Sequence, residues 1–586
     1  MLKKSFYPLF LLSIAYLLFS SNDAKTIIAG IAIFLIGMVF MEDGFKLFSG
    51  GILEKVLEKS TSSVPKAITT GFIATAIVQS SSLLTIIVIS FLSAELISLS
   101  GAIGVIFGSN IGTTTTAWIV SAFGVKIKIA HYAMPMLIFG VIFRFNDSKS
   151  FQGLGNILVG LGFVFLGIGY MKEGFEALKA GLDLAQFAID GYLGVLVYII
   201  IGAIATIVIQ SSSATMALII TALATGQIEY VNALALAIGA NIGTTVTAII
   251  GSLSSNANGK RLAVAHFIFN IVTGAIAIIF LYQLADIVDI FSVTLGIENT
   301  DYAMKLALFH TIFNIIGVLA VSPFTHKLVV FLKSLFNEQE KDIERAKYLD
   351  EVVVSVPEAA LVALKKEVGH LYDNTTEALA HALSLHRDDI FNIPEEKLSE
   401  VINNSTQIVD IDTEDFYDKK VKYVYSDIIS YATLSQEKMN VEQSDKIYAF
   451  KLACRKVVET IKDANELQKN INIYLKGKNE DIKNEYNFLR IEIAKTLNGI
   501  YRLRHNCDDD FDILTKIKLL EENLTKLDMI ENGKIDQLIR NNKIEPRMAT
   551  SLINDSAFAY SISKKLLNVA TILWIEDKQI QELGEE

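Results

Sequence analysis

Cysteine and proline are scarce in this chain, and so is charge over its first half. Two cysteines, Cys454 and Cys507, and seven prolines occur in 586 residues. With no CxxC pair and no multi-cysteine framework, neither a disulfide scaffold nor a thiolate zinc site is encoded. The two thiols read as ordinary helix residues in a reducing compartment. A basic excess is also missing: the formal net charge is −11, and nucleic acid, which needs a basic face, is excluded as a main partner. No P-loop, HExxH or nucleophile–base constellation occurs, so the chain does not read as an enzyme. Residues 1–335 hold 18 lysines and arginines against 16 acids, leaving 34 against 47 for residues 336–586. An apolar, charge-poor half joined to an acidic, charge-dense half reads as a membrane domain followed by a soluble one.

What is present, and present twice, is a polar interruption of apolar sequence. Gln79-Ser80-Ser81-Ser82 returns as Gln210-Ser211-Ser212-Ser213, 131 residues later. Each copy is followed by a second matched segment, Gly108-Ser109-Asn110-Ile111-Gly112-Thr113-Thr114 and Gly239-Ala240-Asn241-Ile242-Gly243-Thr244-Thr245. A lead helix belongs to the same duplication: residues 26–41 run into Glu42-Asp43-Gly44-Phe45, and 157–171 run into Lys172-Glu173-Gly174-Phe175. A period near 130 is the scale of a transporter half built from several spans.

Taken in order, Lys3-Lys4 followed by Phe6 to Phe19 suits an uncleaved first helix better than a signal sequence, because no small-x-small cleavage site follows. The apolar pieces beside the polar motifs are short, of the length of re-entrant half-helices rather than full spans. Both motifs are therefore expected to break their helices. The lysines of loop 42–66 place it in the cytoplasm, and if loop 172–190 is outside, the two repeats are inverted. His266/Asn270 and His310/Asn314 are each four apart on one helical face. The first half shows only a faded version, His131 with Pro135 where the Asn would stand. Interhelical hydrogen bonding and a direct substrate role are both open readings of these pairs. From about residue 355 the period becomes that of amphipathic helices, expected at roughly 357–387, 395–433, 441–476, 479–506, 508–541 and 544–577.

The fold class expected is all-α: a polytopic transporter core of two inverted repeats with re-entrant hairpins, then a soluble six-helix bundle. The domain boundaries are an N-terminal helix at 1–24, repeat 1 at 25–150, repeat 2 with the final spans at 151–335, a linker at 336–354 and the soluble domain at 355–586.

Chemically, a Gln-Ser-Ser-Ser cluster at a helix break offers an amide, three hydroxyls and free backbone N–H groups. The N–H groups and the positive end of a half-helix suit an anion. The neutral oxygens suit Na+. Gly108, Gly112, Gly239 and Gly243 permit backbone turns and close approach. No arginine lies within the motifs, so an anion bound there can also be released.

Duplicated QSSS and G-[AS]-N-I-G-T-T segments resemble those of the type II sodium-dependent phosphate cotransporters and their bacterial relatives, over roughly residues 25–335. The tail resembles that of the bacterial subgroup carrying a PhoU-like domain. The resemblance implies phosphate held by Gln79, Ser80, Ser81, Ser82, Gln210, Ser211, Ser212 and Ser213. It implies Na+, the coupling ion, held by Gln79, Asn110, Thr113, Thr114, Gln210, Asn241, Thr244 and Thr245. It further implies a multi-pass protein of the bacterial inner membrane, with a cytoplasmic tail that meets a regulatory protein partner, and homo-oligomers. Some mammalian members have an acid just after the first QSSS; here Leu83, Leu84 and Thr85 follow, so no acid is expected at the site. In the PhoU-like tail one E-x-x-x-D metal motif survives, Glu459 with Asp463, a divalent-metal candidate to be weighed against a solvated charged face. The alternative function is a transport-poor, membrane-anchored phosphate sensor acting through the tail.

Overall fold

Each QSSS segment is a break between two helices, and the structure repeats that break with the same local geometry. The computed structural model describes residues 15, 18–19 and 21–574, apart from 50–55, 58–59, 94, 125–129, 182–188, 190, 254, 337–342, 351–353, 355, 406–412, 438, 507–509, 528 and 531–532. The expected first helix at 1–24 lies largely outside the described residues, and Lys55 and Lys59 of loop 42–66 and Cys507 lie wholly outside them. The chain divides into two units, 1–338 and 339–586.

In the first unit, α1 (Asn22–Ser49) leads into the pair α2 (Val64–Val78) and α3 (Ser81–Ser93), then α4 (Leu99–Ile119), which ends in a π turn at Val120–Gly124. After α5 (Ala130–Arg144), the order returns: α6 (Lys149–Gly181), α7 (Gly191–Ile209), α8 (Ser212–Ala224) and α9 (Tyr230–Ser252). Four more helices close the unit: α10 (Ala257–Ile279), α11 (Leu281–Thr294), α12 (Tyr302–Val321) and α13 (Thr325–Leu335). Among the described residues, seven stretches are long and apolar enough to cross a bilayer, including Asn22–Leu47, Lys149–Lys179, Gly191–Ile209 and Tyr302–Leu335, whereas α2, α3 and α8 are shorter apolar helices. One face of α7 leaves Leu193, Leu196, Ile200, Ile204 and Val208 exposed, as a lipid-facing stripe would.

The break expected at GxNIGTT is not there. α4 runs unbroken through Gly108–Thr114, and α9 through Gly239–Thr245. The glycines serve close approach instead of a turn. A Cβ on Gly108 would lie 1.9 Å from the Ile68 carbonyl oxygen of α2, and one on Gly239 would lie 2.0 Å from the Ile199 oxygen of α7. Gly112 and Gly243 extend the same contact, facing the Thr75 and Thr206 side chains. α2 is thereby pressed backbone to backbone against α4, and α7 against α9, which fixes where the ends of α2 and α7 fall.

Among the described residues, the second unit is also helical. Its long elements are α14 (Pro357–Ala382), α18 (Lys422–Gln436), α19 (Val441–Tyr474), α20 (Glu480–Asn506), α21 (Asp510–Leu524) and α23 (Pro546–Trp574). Short pieces complete it: α15 (Arg387–Phe391), α16 (Glu395–Asn404), α17 (Thr413–Phe416) with a π turn into α18, and α22 (Lys534–Arg540). The expected helix over 395–433 is therefore divided. Its core is one apolar cluster into which Arg490 is fully buried. That guanidinium donates to the carbonyls of Leu383, Ser384, Ile402 and Ser405 and to Asn487 Oδ1, so its burial is compensated. The segment before α14 is pinned the same way. Glu367, fully buried, accepts from the backbone N–H of Lys347 and Tyr348, while His370 bridges Glu367 and Glu344 at 2.7 and 2.8 Å.

Candidate functional site

The two breaks are built alike. Gln79 and Gln210 both sit in the left-handed region, at φ 60° and 58°, where a side chain beyond Cβ is uncommon. Their N–H groups cap α2 and α7, each 2.7 Å from the oxygen of a threonine four residues back, Thr75 and Thr206. The next residue opens the following helix: Ser80 Oγ accepts from Leu83 N–H and Ser211 Oγ from Ala214 N–H, both at 3.2 Å. Left-handed residues in matching places mark positions that the surrounding packing must hold, and such strain concentrates at functional sites.

All eight residues of the two QSSS segments line one cavity of about 210 Å³, with Thr206, Thr244 and Thr247 and, from α1, Leu35, Met38, Val39 and Glu42. That is smaller than the roughly 300–1,000 Å³ of pockets for drug-sized ligands, and suits a small solute. The N-termini of α3 and α8 both open into it.

The halves differ in how far their polar groups are already satisfied. Gln79 is buried and fully engaged: Oε1 accepts from the Thr116 hydroxyl at 2.8 Å, while Nε2 donates to Ala76 O and to Thr115 Oγ1 at 2.7 Å. Thr116 Oγ1 also lies 3.4 Å from Ser213 Oγ, joining the two repeats. Gln210 faces the cavity, and its side chain has no hydrogen-bond partner among the described residues. Thr75 donates to Ser109, but the equivalent Thr206 has Ala240 where that serine would stand. Its hydroxyl is buried, lines the cavity and has no partner.

Of the residues expected to hold Na+, Gln79, Gln210 and Thr244 line this cavity; Asn110, Asn241, Thr113, Thr114 and Thr245 are not among its lining. The asparagines bond to histidines of other helices. Asn110 Oδ1 lies 3.3 Å from His266 Nε2 of α10, and Asn241 Oδ1 lies 3.2 Å from His310 Nε2 of α12. An amide oxygen can only accept, so Nε2 is the protonated nitrogen in both rings. Asn241 Nδ2 donates to Asn314 Oδ1 at 3.0 Å. Of the two open readings of the His/Asn pairs, the geometry shows interhelical hydrogen bonding. Thr113, Thr114 and Thr245 donate to carbonyls of their own helices.

One expectation is overturned. An acid does reach the site, from α1 rather than from the residues after the first QSSS: Glu42 Oε2 accepts from the Ser80 hydroxyl at 3.2 Å. The signal was in the sequence, since Glu42 ends the lead helix of the duplicated unit, but nothing in its spacing said that α1 packs across the first break. Thr116 and Thr247 were likewise legible only as the same offset of 131 residues.

The metal candidate of the tail is also corrected. Lys565 of α23 places its ammonium 2.8 Å from Asp463 and 3.6 Å from Glu459, and Arg455 lies 2.8 Å from Glu459. These carboxylates already hold protein cations, and no group of three or more His, Cys, Asp or Glu suited to a metal occurs among the described residues.

Comparison with known proteins places these features. A family model described as Na+/Pi-cotransporter matches residues 33–173 and 192–307, both breaks included. The chain is 30% identical over 358 residues to a protein of Escherichia coli O157:H7 named "Putative inorganic phosphate export protein YjbB". It spans 62% of that protein's length, and the match takes up 59% of this chain. It is 30% identical over 303 residues to the uncharacterized protein YqeW of Bacillus subtilis, covering 92% of that protein and 50% of this chain. Over 87 residues it is 40% identical to the human sodium-dependent phosphate transport protein 2B, 12% of that protein and 14% of this chain. No solved structure matches.

Proposed function

This chain belongs to the Na+/Pi-cotransporter family, and we propose that it carries inorganic phosphate across the bacterial inner membrane, coupled to Na+, by alternating access. The observation that carries this is the single cavity lined by both QSSS segments, with two helix N-termini opening into it. Helix-end N–H groups and serine hydroxyls are donors with no fixed positive charge, which lets an anion bind and leave. In a bilayer, Gln210 and the buried Thr206 hydroxyl, unpaired within the protein, gain their missing partners from an oxyanion or from Na+. The helix pairs α2–α3 and α7–α8, of which α7 alone has the length of a span, are read as the hairpins of two inverted repeats, with the cavity between them near the midplane.

The second unit is read as a PhoU-like regulatory domain on the cytoplasmic side, a docking surface for a regulatory protein partner.

The test is flux. Purified protein in liposomes should accumulate ³²P-phosphate in response to an imposed Na+ gradient, with both gradient directions assayed to give the direction of net movement. Ser81→Ala and Ser212→Ala, which line the cavity at the two helix starts, should each weaken phosphate affinity, by about 10- to 150-fold for the loss of a charge-assisted hydrogen bond of 1.5–3 kcal/mol. Unchanged affinity in both would place phosphate elsewhere.

A further inference from the structure

Glu42 is the only charged residue lining the cavity among the described residues. It sits where a carboxylate should repel the anion that the rest of the cavity attracts. Its side chain is 29% exposed; Oε1 lies 3.0 Å from Lys46 Nζ and Oε2 accepts from Ser80. The Lys46 ammonium is 48% exposed and one helical turn away along α1, and it also lies 3.8 Å from Asp43. A solvated pair of this kind is weak and readily exchanged.

The Ser80 hydroxyl has one proton, and it is committed to Glu42. The lone pairs of Ser80 Oγ already accept from Leu83 N–H. Ser80 therefore has no donor left for an anion. Ser211, its repeat mate, accepts from Ala214 N–H in the same way. The position equivalent to Glu42, counted from the paired methionines Met41 and Met171, is Lys172, so the second half supplies no carboxylate.

We propose that Glu42 and Ser80 form the coupling subsite of the cavity, taking one monovalent cation of the Na+ class between the carboxylate and the Ser80 oxygen. Such a cation takes over the negative charge that Ser80 now caps. The Ser80 hydroxyl then turns its oxygen to the cation and its proton to the cavity, where it becomes a donor for phosphate. Cation binding thus precedes anion binding, and removes both the repulsion and the missing donor at once. The duplication provides one such subsite rather than two. This inference rests on the phosphate-carrier reading above, and goes beyond it in naming the residue that makes the cation obligatory.

The experiment uses full-length protein with Na+, Li+ and phosphate as probes, read by calorimetry in detergent and by ³²P flux in liposomes. Glu42→Gln keeps the shape and the Ser80 contact but removes the charge. It is expected to raise the Na+ concentration for half-maximal phosphate flux at least tenfold, while phosphate binding without Na+ is retained or strengthened. Lys46→Gln removes the competing ammonium and is expected to lower that Na+ concentration several-fold. Both variants should elute as the wild type does in detergent. Unchanged Na+ dependence in Glu42→Gln overturns the proposal while leaving phosphate transport standing, as does wild-type flux indifferent to Na+ and Li+. Absence of phosphate binding in wild type, and in all variants, would instead sink the carrier reading itself.

Discussion

Gly108→Ala adds one methyl group at the crossing of α2 and α4, where no room exists for it. The new Cβ would sit 1.9 Å from the Ile68 oxygen, 2.7 Å from its carbonyl carbon and 2.8 Å from Phe72 N. All three are backbone atoms, so no side chain can swing aside. Real Cβ contacts stay above about 3 Å, and the helices must part by roughly 1 Å to accept it. A gap of 0.5–1 Å forfeits a quarter to a half of each dispersion contact along the seam. Overpacking usually costs about 1–3 kcal/mol, and a backbone obstacle places this substitution at or above the upper end. Gly239→Ala meets the Ile199 oxygen at 2.0 Å and should cost the same. Gly169→Ala, with nothing within 4 Å, is the control.

The assay is the fraction of monodisperse protein in detergent against temperature, with flux measured on what survives. Gly108→Ala and Gly239→Ala should lower the midpoint sharply, and the surviving protein should transport poorly, because Gln79 and Gln210 sit at the ends of the displaced helices. Gly169→Ala should match wild type. Wild-type midpoints for the two interface variants would refute the claim that backbone contact sets the separation of each helix pair.

The two glutamines should separate in their effects. Gln79→Ala removes the amide's bonds to Ala76 O and to the Thr115 and Thr116 hydroxyls and should cost stability, about 2–3 kcal/mol, along with transport. Gln210→Ala, which breaks no internal bond, should leave the midpoint nearly unchanged while weakening the affinity for ligand. In the second unit, burial lowers the His370 pKa, but the Glu367 hydrogen bond and charge outweigh it, so the pKa is raised. Burial also works against the charge of Glu344, yet Lys420, Lys347 and His370 hold its pKa down at about 2. The His370 contribution is therefore fully present below its ordinary value of 6.5 and lost as pH rises through the raised folded value. The Glu344 contribution is present above its ordinary 4.5 and lost as pH falls toward about 2. Amide exchange of residues 343–350 in the full chain, corrected for intrinsic rate, should lose protection from pH 6 to pH 9, and His370→Gln should flatten that change. A flat wild-type profile would remove the histidine from the clamp.

The sequence carried the duplication because polar residues in apolar helices are costly and so stand out. The offset of 131 residues alone paired Gln79 with Gln210 and α3 with α8. It could not say what the glycines were for. Gly108 and Gly112 in a polar run look the same whether they break a helix or let two helices touch, and only the neighbour at Ile68 decides. The histidines were legible as one face of a helix, but not as partners of Asn110 and Asn241, because sequence gives a face and not what it meets. Glu42 was passed over for the same reason: it is local to α1 in sequence and local to Ser80 only in space. In the tail, Glu459 and Asp463 are open in sequence to a metal pair or a charged face, and the lysine that meets them, Lys565, stands 102 positions beyond Asp463.

The two breaks share their backbone geometry, and the chemistry around them differs. Three positions lose a polar or acidic group in passing from the first half to the second, and a fourth keeps its amide but not the bonds to it. Ser109 becomes Ala240, Thr115 becomes Val246, and Glu42 is matched by Lys172; the amide of Gln79, tied to both threonines, is matched by the untied amide of Gln210. The second half is left with the buried Thr206 Oγ1, which has no partner among the described residues, and with the exposed Gln210 amide open to the cavity. An unpaired buried polar group costs about 1–3 kcal/mol, and a ligand that pairs it recovers that cost on binding. The first half, its glutamine satisfied internally and its cavity wall carrying the carboxylate, is the half on which the proposed cation subsite rests, while serines of both halves face the same cavity.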